Sequence, residues 1–122
     1  MQIEVVKVGS RQSPLARLQA ENAISRIDYP AEIITMLEVA DEDLSRPVHE
    51  MGGKGMFCTK LEKALINQQI HCAIHSAKDC ATIETPGTEL LGVVYRGDPR
   101  DCVIGDHNLH QLPPVSYTHL RA

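Results

Sequence analysis

Apolar residues fall in short runs separated by polar, glycine-marked or proline-marked breaks, and the runs differ in period. Ile3 to Val8 is β-branched and apolar on both faces, the pattern of a strand covered on both sides in a parallel sheet. Ser13-Pro14 reads as an N-cap with proline at the first helical position. Leu15, Leu18, Ile24 and Ile27 supply a helical apolar stripe, which Tyr29-Pro30 ends. Glu32 to Val39 predicts a second strand. Asp41 to Glu50 is polar and aperiodic, and with Gly52-Gly53-Lys54-Gly55 it predicts a mobile loop. Phe57, Leu61, Ala64 and Leu65 mark a second helix. Ile70 to Ile74 predicts a third strand, Glu89 to Tyr95 a fourth, and Cys102 to Ile104 the start of a fifth. Strands alternating with helices predict an α/β fold, a mainly parallel sheet flanked by helices and joined by right-handed crossovers.

The length of 122 residues suits one small domain with a modest core and does not suit two. A formal net charge of −4 and only 3% aromatic residues, none of them tryptophan, argue against nucleic acid as a partner, because neither a basic surface nor stacking platforms are on offer. No apolar run approaches membrane-spanning length, so no membrane partner is expected. The chain opens on a strand pattern without the features of a secretory signal, and the cytoplasm is the expected location.

Four cysteines, Cys58, Cys72, Cys80 and Cys102, lack the close pairing of a zinc knuckle or a thiol redox motif. Cys58 falls in a helical pattern, while Cys72 and Cys102 fall in apolar strand-like runs where a reduced thiol acts as a small hydrophobe. Cys80 sits beside charged residues, where Lys78 would favour a thiolate and Asp79 would oppose it. His71 and Cys72 point to opposite faces of a strand, and His71 and His75 lie too far apart along it for joint ligation. No metal site is expected.

Chemistry concentrates where strands end. In open α/β sheets ligands bind outside the carboxyl ends of strands, and His75-Ser76-Ala77-Lys78-Asp79 follows directly on the third apolar run. Arg11 lies just past the first strand, and Ser13 caps the next helix, so a guanidinium, a hydroxyl and helix-terminal amides can surround an anion. Ser13 also serves its own helix as a cap, a role that needs no ligand. Asp79 accepts hydrogen bonds and can stabilise a developing cation, while Lys78 and Ser76 can pair with carboxylates. A bland surface Lys–Asp pair is the alternative reading.

Taken together, the motifs are similar to the opening domain of the porphobilinogen deaminase family, also called hydroxymethylbilane synthase. Val8-Gly9-Ser10-Arg11-Gln12-Ser13-Pro14-Leu15-Ala16 resembles the family's opening. Gly52-Gly53-Lys54-Gly55-Met56-Phe57, Leu61-Glu62-Lys63-Ala64-Leu65, His75-Ser76-Ala77-Lys78-Asp79 and Asp98-Pro99-Arg100-Asp101 follow in the family's order. A set of ordered motifs is far more specific than any one of them. The resemblance implies a cytoplasmic transferase of tetrapyrrole and heme biosynthesis that joins four porphobilinogen units head to tail, releasing ammonia, to give hydroxymethylbilane. It also implies a fold like a type II periplasmic binding protein, with residues 1–100 as an incomplete domain 1, 101–114 as the hinge and start of domain 2, and 115–122 as an artefactual or divergent tail. The family's dipyrromethane cofactor is carried on a cysteine of a third domain, and no cysteine here matches it. The small-molecule substrate is the one partner implied, and the whole protein is expected to be a monomer.

By the same matching, Asp79 is the catalytic residue: it would hydrogen-bond pyrrole N–H groups, stabilise the azafulvenium cation left by loss of the amine, and assist proton transfer. Arg11, Ser13 and Gln19 would hold substrate acetate and propionate groups, Ser76 and Lys78 would contact cofactor or substrate carboxylates, and Lys54 and Phe57 would belong to a lid. Several positions depart from the family pattern. The threonine-x-glycine-aspartate after strand two reads Glu38-Val39-Ala40-Asp41, a basic lid residue is Glu50, lysine-glutamate-leucine-glutamate reads Thr59-Lys60-Leu61-Glu62, a hydrophobic-proline pair is Cys80-Ala81, and an aspartate entering strand three is His71. The expectation is therefore a fragment of a deaminase, inactive by itself. The competing expectation is a non-catalytic module of periplasmic-binding-like fold that grips a small carboxylate.

Overall fold

The structure is a computed structural model, and it describes residues 3–38, 58–102, 104 and 109–111. A parallel three-stranded sheet in the order β2-β1-β3 forms its centre. The elements run β1 (Val6–Arg11), α1 (Pro14–Ile24), β2 (Ala31–Met36), α2 (Thr59–Ile66) and β3 (Cys72–Ala73), followed by a 3₁₀ turn at Ala77–Asp79. The α/β class and the parallel sheet agree with the sequence reading. The first strand does not: it starts later and runs on to Arg11, whose register partner is Met36. Arg11 is thus the last residue of the strand and not the first beyond it.

Side-chain alternation along β1 assigns the two helices to opposite faces. Ser10 is fully buried, and its hydroxyl lies 3.1 Å from the carbonyl oxygens of both Arg11 and Ala16, tying the strand end to the first turn of α1. Gly9, one residue earlier, faces α2. A Cβ there would collide with Ile70 Cδ1 and fall 2.7 Å from Leu61 Cδ2, so the absent side chain is what lets the α2 layer close down. Leu61, Ala64 and Ile70 form the core on that side, with Ile34, Met36, Leu65 and Ala73 packed against them.

The buried face of α1 is not the one the large residues suggested. Ala20 and Ala23 are buried, whereas Leu15 and Leu18 are 61% and 62% exposed and Ile27 is also exposed. Small side chains seat this helix close to the sheet, so the alanine stripe packs and the leucines project outward. Ser13 caps the helix as expected, accepting a hydrogen bond from the Ala16 amide at 3.3 Å, with Pro14 at the first helical position.

At the start of α2, Cys58 occupies the N-cap position without any side-chain cap bond. Glu38, fully buried just beyond β2, replaces it: its two carboxylate oxygens accept the Lys60 and Leu61 amides at 3.0 Å each. Two amides that a helix terminus leaves without intrahelical partners thereby meet a full negative charge at the positive end of the helix dipole. His71 also has a backbone task, since its Nδ1 accepts the Lys7 amide at 2.8 Å while its own amide donates to the Lys7 carbonyl at 2.9 Å.

The expected fourth strand is absent. Glu89 to Tyr95 is exposed and unpaired, with Leu91 84% exposed and Gly92 at φ 154°, a conformation that interrupts an L-residue strand. Neither edge of the sheet takes this segment up, so its apolar alternation has no surface to cover. Cys102 and Ile104 are likewise exposed and outside any strand. The lid residues Lys54 and Phe57, the loop around them, and the tail from Val115 lie outside the described residues.

Candidate functional site

The strand order creates the site. From β1 the chain crosses to β2 on one side, and the third strand then returns to β1's other side, so the connections diverge at the carboxyl ends of β1 and β3. Such a switch point opens a crevice between the two strand ends. Hydrogen bonds continue the β1–β3 pairing up to that crevice, with the Ile74 amide donating to the Gly9 carbonyl at 2.9 Å. The chain then turns through 77–79, held by the Asp79 amide on the Ser76 carbonyl at 2.9 Å.

A cleft of about 170 Å³ occupies this crevice, and six residues singled out from the sequence line it: Arg11, Ser13, Gln19, Ser76, Lys78 and Asp79. The guanidinium of Arg11 lies 3.5 Å from the carboxylate of Asp79, with the side chains 17% and 15% exposed. The fold brings this acid and this guanidinium together across 68 residues of sequence. Shielding from water makes such a pair electrostatically stronger than a surface one.

On the α1 side, Gln19 and Ser76 clasp each other. The Gln19 amide nitrogen donates to the Ser76 hydroxyl at 3.0 Å, and that hydroxyl lies 3.1 Å from the Gln19 carbonyl oxygen. The pair ties α1 to the segment that presents Asp79. Lys78 is exposed at the cleft edge. Leu15, Ala16, Ile74 and His75 complete the wall.

Sequence reasoning named no role for His75, yet it has a distinctive setting. By alternation from Ala73 it lies on the α2 side of the sheet, the side of Arg11. Burial lowers its pKa, outweighing the carboxylates of Glu38, Asp79 and Glu62, which act to raise it, while Arg11 acts with burial. The imidazole thus feels three carboxylates and one guanidinium, and burial prevails. The sequence signal was its place in the 75–79 motif, but nothing local distinguished it from a core histidine.

Three thiols have surroundings that oppose the thiolate form. Burial pushes Cys58 up to about 12, helped by a hydrogen bond with Glu62 and by nearby carboxylates. Burial also raises Cys72, and burial with the charges of Asp79 and Glu62 raises Cys80. The unreactive reading of Cys80 is supported by these surroundings. Cys102 is exposed and not the strand residue expected.

With this geometry in view, the relatives are informative. The family model described as porphobilinogen deaminase, dipyromethane cofactor binding domain, matches residues 6–119. The chain belongs to the porphobilinogen deaminase family. A porphobilinogen deaminase of Alkaliphilus metalliredigens is 40% identical over 119 residues, covering 91% of this chain and 37% of the relative. One from Acidithiobacillus ferrooxidans is 37% identical over 110 residues, covering 86% and 36%. One from Ruminiclostridium josui is 34% identical over 121 residues, covering 95% and 42%. The chain thus spans 36 to 42% of the length of these three relatives.

Proposed function

We propose that this chain supplies the cation-stabilising cleft of a porphobilinogen deaminase, a transferase that joins four porphobilinogen units head to tail with release of ammonia to give hydroxymethylbilane. The observation that carries the proposal is the Arg11–Asp79 pair at 3.5 Å inside the switch-point crevice. Asp79 accepts hydrogen bonds from pyrrole N–H groups and faces the positive charge that appears on the substrate ring when its amine departs. Because the carboxylate is already fixed by Arg11, little reorganisation is needed as that charge develops. The planar guanidinium of Arg11 matches a carboxylate in fork geometry. The Ser13 hydroxyl, though it accepts the Ala16 amide, can still donate its own proton to an anion. Gln19 and Ser76 orient the 75–79 turn, and Lys78 supplies a mobile positive charge at the rim.

The dipyrromethane group fits the same donor set. Its carboxylates match Arg11 and Lys78, and its pyrrole N–H groups match Asp79. When bound it supplies the primer to which substrate units are added. Residues 1–100 then correspond to domain 1 of a type II periplasmic-binding-like architecture and 101–114 to the hinge. A monomeric, cytoplasmic whole protein completes the reading and follows the family resemblance. The net charge of −4 favours a small-molecule substrate over nucleic acid.

The chain covers only part of its relatives, so the proposal assigns no turnover to these 122 residues alone. A direct test replaces the matching segment of the Alkaliphilus relative with residues 6–111 and follows porphobilinogen consumption with Ehrlich reagent. Turnover should return with the graft and fall by about 10²–10³-fold on Asp79→Asn, the usual loss when a preorganised electrostatic group is removed. An Asp79→Asn graft as active as its parent would refute the assignment. Binding of porphobilinogen without turnover by an otherwise folded graft would favour a non-catalytic carboxylate module.

A further inference from the structure

The strand that leads into the 75–79 turn is held at its start by a side chain. β3 is only Cys72–Ala73, and its pairing with β1 is extended at both ends. At the far end the Ile74 amide donates to the Gly9 carbonyl at 2.9 Å; at the near end the His71 amide donates to the Lys7 carbonyl at 2.9 Å. The Lys7 amide, which a carbonyl would accept in a continuing ladder, donates instead to Nδ1 of the His71 ring at 2.8 Å. That bond requires a lone pair on Nδ1, so the ring is neutral with its proton on Nε2. A second proton would place a donor against a donor. His71 is exposed, so solvent protons reach it. The charged side chains of the flanking strands are Lys7 and Arg11 of β1 and Glu32 of β2, the register partner of Lys7; those of α2 are Lys60, Glu62 and Lys63. Arg11 is paired with Asp79 and Glu62 with Thr85, and among the described residues no charged side chain hydrogen-bonds the ring. No acceptor stands ready for a proton on Nδ1.

We infer that His71 is an acid-released clamp on β3: the neutral imidazole completes the pairing with β1, and a second ring proton frees the strand that carries the 75–79 turn. The geometry makes the effect local and directional. Protonation breaks the bond to the Lys7 amide and sets two N–H groups against each other, which pushes the start of β3 away from β1. A strand with two ladder residues has little further pairing to absorb that loss, so the disturbance reaches Ile74, which both bonds Gly9 and lines the cleft. The Gln19–Ser76 clasp and the Arg11–Asp79 pair then hold the turn against a loosened strand. The inference concerns how the turn is anchored and does not depend on what the cleft binds.

The test is NMR on the 122-residue chain carrying His75→Gln, so that the other histidine of this segment does not titrate. Nitrogen shifts of the His71 ring should place its proton on Nε2 at pH 8. Between pH 8 and pH 5, the range in which imidazoles change charge, hydrogen-exchange protection of the Lys7 and Ile74 amides should fall by at least about fivefold, the usual worth of one hydrogen bond. Adding His71→Asn, whose side-chain oxygen keeps an acceptor and does not titrate, should hold protection level across that range. Adding His71→Leu instead should give the acid value already at pH 8; if that variant does not fold, the parent and His71→Asn curves decide. A proton on Nδ1 at pH 8, no acid loss in the parent, or an equal loss in His71→Asn overturns the inference. So does an Ile74 amide that stays protected while Lys7 opens, since the clamp would then not reach the turn.

Discussion

Replacing Glu38 by alanine is expected to be among the most destabilising single changes in the described part of the chain. The carboxylate is fully buried and holds two backbone amides at the start of α2, and Cys58 at the N-cap offers no side-chain substitute. A hydrogen bond to a charged acceptor contributes about 1.5–3 kcal/mol, and loss of a helix cap costs roughly 0.5–2 kcal/mol. These figures describe overlapping effects, and removing the charge relieves some desolvation, so about 2–4 kcal/mol is expected for Glu38→Ala. Against a small domain's total of about 5–15 kcal/mol, that is a large share. With a urea slope of about 2 kcal/mol per molar, the unfolding midpoint should fall by about 1–2 M. Glu38→Gln should lose about half as much, since its amide keeps one acceptor oxygen and turns a donor toward the other N–H. The assay is urea unfolding followed by circular dichroism. A midpoint for Glu38→Ala within about 0.3 M of the unaltered chain would show that α2 does not depend on this carboxylate.

Two further outcomes can be read from the same measurement. Gly9→Ala should destabilise by about 1–3 kcal/mol through overpacking, because the new methyl meets Ile70 and Leu61 across the α2 layer; a neutral result would mean those two side chains swing aside without loss. Stability should also decline with acid through His75: burial holds its pKa below the ordinary value, so the unfolded chain takes up its proton first and stability is lost as pH falls below about 6.5. Comparing urea midpoints between pH 8 and pH 5 should give a shallower fall for His75→Gln, and parallel curves would contradict the sign worked out here.

The parts of the fold legible in the sequence were those whose causes are local. Ser13-Pro14 marked the start of α1 because cap chemistry acts within one turn, and the apolar run before His75 marked β3 because burial on both faces leaves no polar alternation. The helix face was misread because periodicity weights bulk, whereas the sheet selected Ala20 and Ala23 for close approach and left Leu15 and Leu18 outside. The segment from Glu89 to Tyr95 looked like a strand for the opposite reason: alternation records what a strand could cover, and pairing is decided by a neighbour elsewhere in the chain. Glu38 was visible only as a departure from the family pattern. Its partners are amides 22 and 23 residues away, and amides carry no sequence signature.

The site followed the same division, with one instructive difference. Arg11 and Asp79 were found because a strand end is a property of position, and the doubly wound order β2-β1-β3 turns that position into a crevice. The topology does more than collect residues. Because α1 and α2 cover opposite faces, alternate residues after β3 look toward different helices: Ser76 meets Gln19 of α1, while His75 meets the acidic surroundings of α2. One extended segment therefore reaches both helix layers, with Asp79 one turn beyond, and this arises from the two-residue period of a strand.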